Sequence, residues 1–212
     1  EVLYGTFGHI IPIALMWGLG VALAIFASWK ISPAHLNPAV TLAMVLNKDL
    51  PLKKLPGYLL AQFLGAFTSA LALSLIFDNA LNEFEEVKTI ASAKMFGEFY
   101  SVSTLNAFLL EFVGTTFLVF MIFIIVSKVK IKNLIPILIG LVVSTAIVFI
   151  APYTQCGINP ARDFAPRLLS YLTQWGNVAF SQSSILVYVL APLTGGVIGY
   201  LFFIPIKKSL LK

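Results

Sequence analysis

Charge is scarce in this sequence. Asp, Glu, Lys and Arg make up 11% of the 212 residues, while 59% are hydrophobic and the mean hydropathy is +0.94. A water-soluble domain carries about 25% charge, so that class is excluded. Cysteine is nearly absent: Cys156 stands alone, which excludes an internal disulfide and a cysteine-built metal site. The two histidines, His9 and His35, are far apart and in no ligand spacing. Neither a metal nor a cofactor is implied. Paired membrane carboxylates and nucleophile constellations are also missing, which leaves an enzyme reading with little support. No segment alternates apolar and polar residues as a membrane barrel strand does. The first apolar run is too long for a signal peptide and lacks a small-residue cleavage site.

What is present is long apolar runs. A bilayer core about 30 Å thick needs roughly 20 apolar residues per helix. Five segments fit: Gly8 to Ser28, Pro56 to Phe77, Leu105 to Ser127, Leu134 to Ile150 and Ser184 to Pro205. The net charge of +5 follows membrane topology and does not point to nucleic acid. Lys48, Lys53 and Lys54 follow the first span, Lys128, Lys130 and Lys132 follow the third, and Lys207, Lys208 and Lys212 follow the fifth. Short Lys-rich loops face the cytoplasm. The loop after the second span carries Asp78, Glu83, Glu85, Glu86 and Glu98 against Lys88 and Lys94, and is expected outside. The C-terminus is then expected to be cytoplasmic. The loop from 79 to 104 carries no interpretable motif.

The chain also repeats itself. Asn37-Pro38-Ala39 recurs 122 positions later as Asn159-Pro160-Ala161, and Gly18-Leu19 recurs at the same offset as Gly140-Leu141. Val21 and Val143 keep the offset too. The pattern divides the chain into a first repeat over 1–78, the loop, and a second repeat over 105–212. An odd number of crossings per unit inverts the second copy, which puts a shared site near the bilayer midplane. Each Asn suits a helix N-cap, and each Pro suits the first helical position. The apolar stretches behind them are too short to span, so each reads as a half-helix entering from its own face. Irregular backbone at membrane depth survives only where it is buried in protein or lines water. Pro33, Ala34, His35 and Leu36, with Gln155, Cys156, Gly157 and Ile158, would offer carbonyl acceptors along such a passage. Asn37 and Asn159 would offer N–H donors, and two helix N-termini would repel cations and protons.

At these motifs the sequence resembles the aquaporin, or major intrinsic protein, family, and within it the glycerol facilitators. The likeness runs from Trp17 to the C-terminus. It rests on Ala34-His35-Leu36-Asn37-Pro38-Ala39-Val40-Thr41 and Asn159-Pro160-Ala161-Arg162. Asp163, Arg167 and Pro192-Leu193 fit the glycerol subgroup. The resemblance implies an all-α fold of six spans and two half-helices, usually a homotetramer with one pore per subunit, crossing the cell membrane in lipid. It also implies passive passage of glycerol, other small neutral solutes and water, with exclusion of ions and protons. The family's selectivity filter maps onto Trp17, Ile147, Cys156 and Arg162. Glycerol facilitators usually carry Gly at the Ile147 position and an aromatic at the Cys156 position, and a Gly at the Pro33 position, so this chain departs at all three.

Ordinary roles stand beside these. A Trp near a span end is commonly an interface anchor, and Cys156 alone would be a small core residue. Asp163 reads as a structural carboxylate paired with a nearby cation. Glu111 reads as an acceptor for the second half-helix loop, as in the family, more than as a proton relay. Gly65, Ala66, Gly195, Gly196 and Gly199 read as close-packing sites. The rival functions are an ion-coupled secondary transporter, which also uses broken helices, and a non-conducting scaffold of the same fold. Finally, the repeat predicts a further helix ahead of the first span. It would carry the counterpart of Glu111, which at the same offset falls before residue 1. Five full spans, two half-helices and a lengthwise groove beside the first half-helix are therefore expected.

Overall fold

A computed structural model describes residues 9–210. The helices in chain order are α1 (Ile10–Ser28), α2 (Pro38–Leu46), α3 (Leu55–Ile76), α4 (Asp78–Phe84), α5 (Ile90–Ala93), α6 (Thr104–Lys128), α7 (Leu134–Thr154), α8 (Pro160–Leu172) and α9 (Ala191–Leu210). Short 3₁₀ turns precede α3 (Leu52–Lys54) and follow α8 (Gly176–Phe180). A π-helical turn, Ile185–Leu190, leads directly into α9. No strand occurs among the described residues. Five stretches are long and apolar enough to cross a membrane: Ile10–Ser28, Leu52–Ile76, Thr104–Lys128, Leu134–Thr154 and Ile185–Lys207. The 9-residue α2 and the 13-residue α8 are too short to do so.

These boundaries refine the sequence reading. The start of the first predicted span, Gly8, lies outside the described residues, as does the helix expected ahead of residue 1. α7 runs to Thr154, past Pro152, instead of ending at Ile150. Its stop is set by Gln155, which turns left-handed at φ 62° while its N–H still closes on the Ala151 carbonyl at 2.9 Å. The loop from 79 to 104, unread in the sequence, contains α4 and α5. Thr89 caps α5 by accepting the Ala91 N–H at 3.1 Å.

The repeat is built into the packing. α1 lies along α7, and α6 lies along α9. Gly18 and Gly140, counterparts at the repeat offset, touch each other: a Cβ on either would sit 2.4 Å from the other's carbonyl oxygen. The Ser144 hydroxyl, one turn on, donates to the Ala14 carbonyl at 2.8 Å. Across α6 and α9, a Cβ on Gly195 would meet the Phe112 oxygen at 2.4 Å, and one on Gly199 the Thr116 oxygen at 2.6 Å. In lipid there is no hydrophobic drive between helices, so close backbone approach through small residues gains the dispersion contacts that hold them. Gly196 meets Ala39, which seats half-helix α2 against α9.

Gly65 is different. Nothing lies within 4 Å of where its Cβ would be, so its expected close-packing role is not met among the described residues. The physical reason is its helix: only 6% of the apolar window of α3 is buried, its packed side lying on α8 and α2.

Candidate functional site

The two half-helices meet head to head. Asn37 caps α2, its side-chain oxygen accepting the Ala39 N–H at 2.9 Å. Asn159 caps α8, accepting from Ala161 at 3.1 Å and Arg162 at 3.3 Å. Pro38 and Pro160 take the first helical position, where the missing N–H leaves no bond unmade. The cap oxygens occupied, the side-chain NH₂ groups point onward. Asn37 donates to the Ile158 carbonyl and Asn159 to the Leu36 carbonyl, both at 2.9 Å. Ile158 and Leu36 are themselves counterparts at the 122 offset, so the two bonds are images of one another. Each Asn thus ties one N–H to the opposite loop.

The loops ahead of the caps have an unusual backbone. Ala34 (φ 53°) and Leu36 (φ 55°) are left-handed, and so are their counterparts Cys156 (φ 63°) and Ile158 (φ 37°). Non-glycine residues resist this region, a β-branched Ile most of all, at a cost of about 1–3 kcal/mol each. Two local twists of the same kind per loop leave a non-helical stretch between span and half-helix. Such a conformation persists only if its surroundings hold it. In the second loop the holder is Glu111. This α6 carboxylate is fully buried and accepts the Gly157 N–H at 2.9 Å, the Ile158 N–H at 2.6 Å and the Thr154 hydroxyl at 2.6 Å. The Tyr188 hydroxyl donates to the Thr154 carbonyl at 3.0 Å beside it. The first-loop counterparts, His35 and Leu36, meet no such carboxylate among the described residues; the His35 ring instead packs 5.4 Å from Tyr58.

In the first turn of α8, Arg162 has its side chain about a quarter exposed. Its guanidinium carbon lies 4.5 Å from the centroid of the Trp17 ring on α1, a cation–π contact. Trp17 is 43% exposed, and Ile147 and Cys156 are buried in one apolar cluster. Asp163 is buried and grips Arg167 one turn on, at 2.8 and 3.0 Å. Arg167 also donates to the backbone carbonyls of Glu98 and Ala179. The residue that sequence reasoning missed is Glu98. It lies in the loop between spans, is 2% exposed, and its carboxylate forms an ion pair with Arg162. Being the loop acid farthest along the chain toward the third span was its only signal.

Taken together, the inverted halves, the mirrored caps and Arg162 beside Trp17 define a helical membrane channel. The comparisons agree. The model of the major intrinsic protein family matches residues 2–203. The chain is 36% identical over 201 residues to the propanediol uptake facilitator of Salmonella typhimurium, covering 88% of this chain and 76% of that protein. It is 34% identical over 200 residues to the glycerol uptake facilitator of Escherichia coli, covering 88% and 71%. Its fold is similar to the X-ray structure of the aquaglyceroporin from Plasmodium falciparum, with a TM-score of 0.85, 27% identity, and coverage of 96% of this chain and 85% of that one. The chain belongs to the major intrinsic protein family.

Proposed function

We propose that this protein is a passive pore for glycerol, related small neutral polyols and water. The observation that carries the reading is the mirrored pair of caps. Asn37 and Asn159 each keep an amide hydrogen free where two helix N-termini converge. A hydroxyl passing that point accepts from the amides while donating to loop carbonyls. The two positive helix ends disfavour a cation or a hydrated proton there. We assign the filter to Trp17, Ile147, Cys156 and Arg162. The CH face of a polyol would run along Trp17 and Ile147 while its hydroxyls turn to Arg162.

Ion coupling would need a carboxylate with lone pairs open to the ion. The three buried carboxylates among the described residues are engaged: Glu111 with three donors, Asp163 with Arg167, and Glu98 with Arg162. We further assign the functional form as a homotetramer in the cell membrane with a cytoplasmic C-terminus, and the chain as two inverted repeats with no enzymatic role. The test is stopped-flow light scattering on proteoliposomes. Glycerol and water flux should follow the solute gradient alone. Flux that appears only with a sodium or proton gradient would overturn the proposal. Ile147→His, which puts a polar donor on the apolar wall, should lower glycerol flux more than water flux.

A further inference from the structure

The segment 98–101, between α5 and α6, is a strap laid across the outer mouth. Four consecutive backbone N–H groups are each met by a different acceptor. Glu98 donates to the Asp163 carboxylate at 2.7 Å, Phe99 to the Gln155 side chain at 2.8 Å, Tyr100 to the Gln182 side chain at 3.0 Å, and Ser101 to the Tyr153 carbonyl at 2.9 Å. Gln182 returns a bond to the Tyr100 carbonyl at 3.0 Å. Arg167 closes the other end, donating to the Glu98 carbonyl, and lies so close over Gly97 that a Cβ there would sit 2.8 Å from the guanidinium carbon. A loop bonded at every residue to the end of α7, to α8 and to the segment before α9 has no freedom to carry its side chains elsewhere.

That fixation points one side chain, Glu98, at Arg162. We propose that Glu98 is a positioning residue of the filter: its carboxyl holds the Arg162 guanidinium at the mouth and so sets the gap beside Trp17. This rests on the pore reading above. Arg162 touches two neighbours at once, the Trp17 ring face and the Glu98 carboxyl. An ionised partner binds a guanidinium more strongly than a neutral one. With Glu98 charged, Arg162 is held between the strap and the indole, and the passage beside them stays open. With Glu98 neutral, the guanidinium loses its stronger anchor and is freer to swing into the passage and narrow the gap. The bulkier solute loses more from that narrowing.

The charge on Glu98 is set by everything that faces it. Arg162, Asp163 and Arg167 approach from α8, Glu111 from α6, with Cys156 and Tyr188 on the segments beside them. Burial raises the Glu98 carboxyl most, Arg162 pulls it back, Asp163 and Glu111 raise it further, and the group ends at about 8. The carboxyl is therefore neutral below that value and charged above it, and glycerol permeability should rise with pH through it.

The experiment is glycerol and water permeability of reconstituted protein from pH 6 to 9.5, for wild type, Glu98→Gln and Glu98→Asp. Glu98→Gln, permanently neutral, should hold a flat profile at the low-pH level, with a several-fold lower ratio of glycerol to water flux above the transition. Glu98→Asp should keep a pH-dependent rise. The wild-type profile needs no substitution, so a flat wild-type profile overturns the proposal even if the variants fail to fold. A wild type that conducts and is matched by Glu98→Gln at every pH overturns the Glu98 assignment alone. A wild type without flux overturns the pore reading and this inference with it.

Discussion

Removing the Glu111 carboxylate tests how the second half-helix loop is held. Three donors converge on it: the Gly157 N–H, the Ile158 N–H and the Thr154 hydroxyl. In Glu111→Gln the amide oxygen can keep the Thr154 and Gly157 bonds, because both use the same carboxylate oxygen. The amide nitrogen then faces the Ile158 N–H, donor against donor. One buried N–H loses its acceptor, at a cost of about 1–3 kcal/mol. In Glu111→Ala all three lose it, and roughly 4–6 kcal/mol is expected after partial relaxation. At about 2–4 °C per kcal/mol for a chain of this size, the melting temperature in detergent should fall by roughly 5 °C for Gln and 10–20 °C for Ala. Function should fall with it. Ile158 is the most reluctant left-handed residue of the loop, and its carbonyl receives Asn37. Once its N–H is released, that carbonyl turns and the cap pair separates. The assay is fluorescence-detected size exclusion after heating, paired with glycerol flux at 25 °C. Glu111→Ala melting within about 1 °C of wild type, with unchanged flux, would refute the argument. Loss of flux in Glu111→Gln at an unchanged melting temperature would point instead to a role at the solute or a proton.

Three further outcomes are expected. Gly18→Ala should lower the melting temperature by forcing α1 and α7 apart, because the new methyl meets backbone at 2.4 Å. Gly65→Ala, with open space and a better helix former, should be neutral or slightly stabilising, by up to about 1 kcal/mol. Equal losses in the two variants would show that the glycine contacts do not decide the packing. Organomercurials should block flux through the single thiol of Cys156, and Cys156→Ser should conduct without being blocked. Block that persists in Cys156→Ser would remove that residue from the passage.

Much of this protein is determined by the sequence alone, because membrane insertion is a local decision. About twenty apolar residues in a row demand a helix wherever they sit. The 122-residue offset of the Asn-Pro-Ala motifs specified an inverted pair before any contact was known, since a repeat is visible in one dimension. Capping is equally local, so Asn37 and Asn159 were legible as helix starts. What the sequence could not carry is which group meets which across the repeat. That Glu111 serves Gly157 and Ile158, that the two Asn side chains cross to each other's loops, and that Gly18 faces Gly140 are distances between segments far apart in the chain. Glu98 shows the limit most clearly. In sequence it is one acid in an acidic loop, set apart from Glu83 and Glu86 only by lying nearest the third span. Only the strap bonds, each to a different element, bury it and turn it to Arg162. A buried ion pair depends on desolvation and angle, and both are properties of the assembled mouth, not of any stretch of chain.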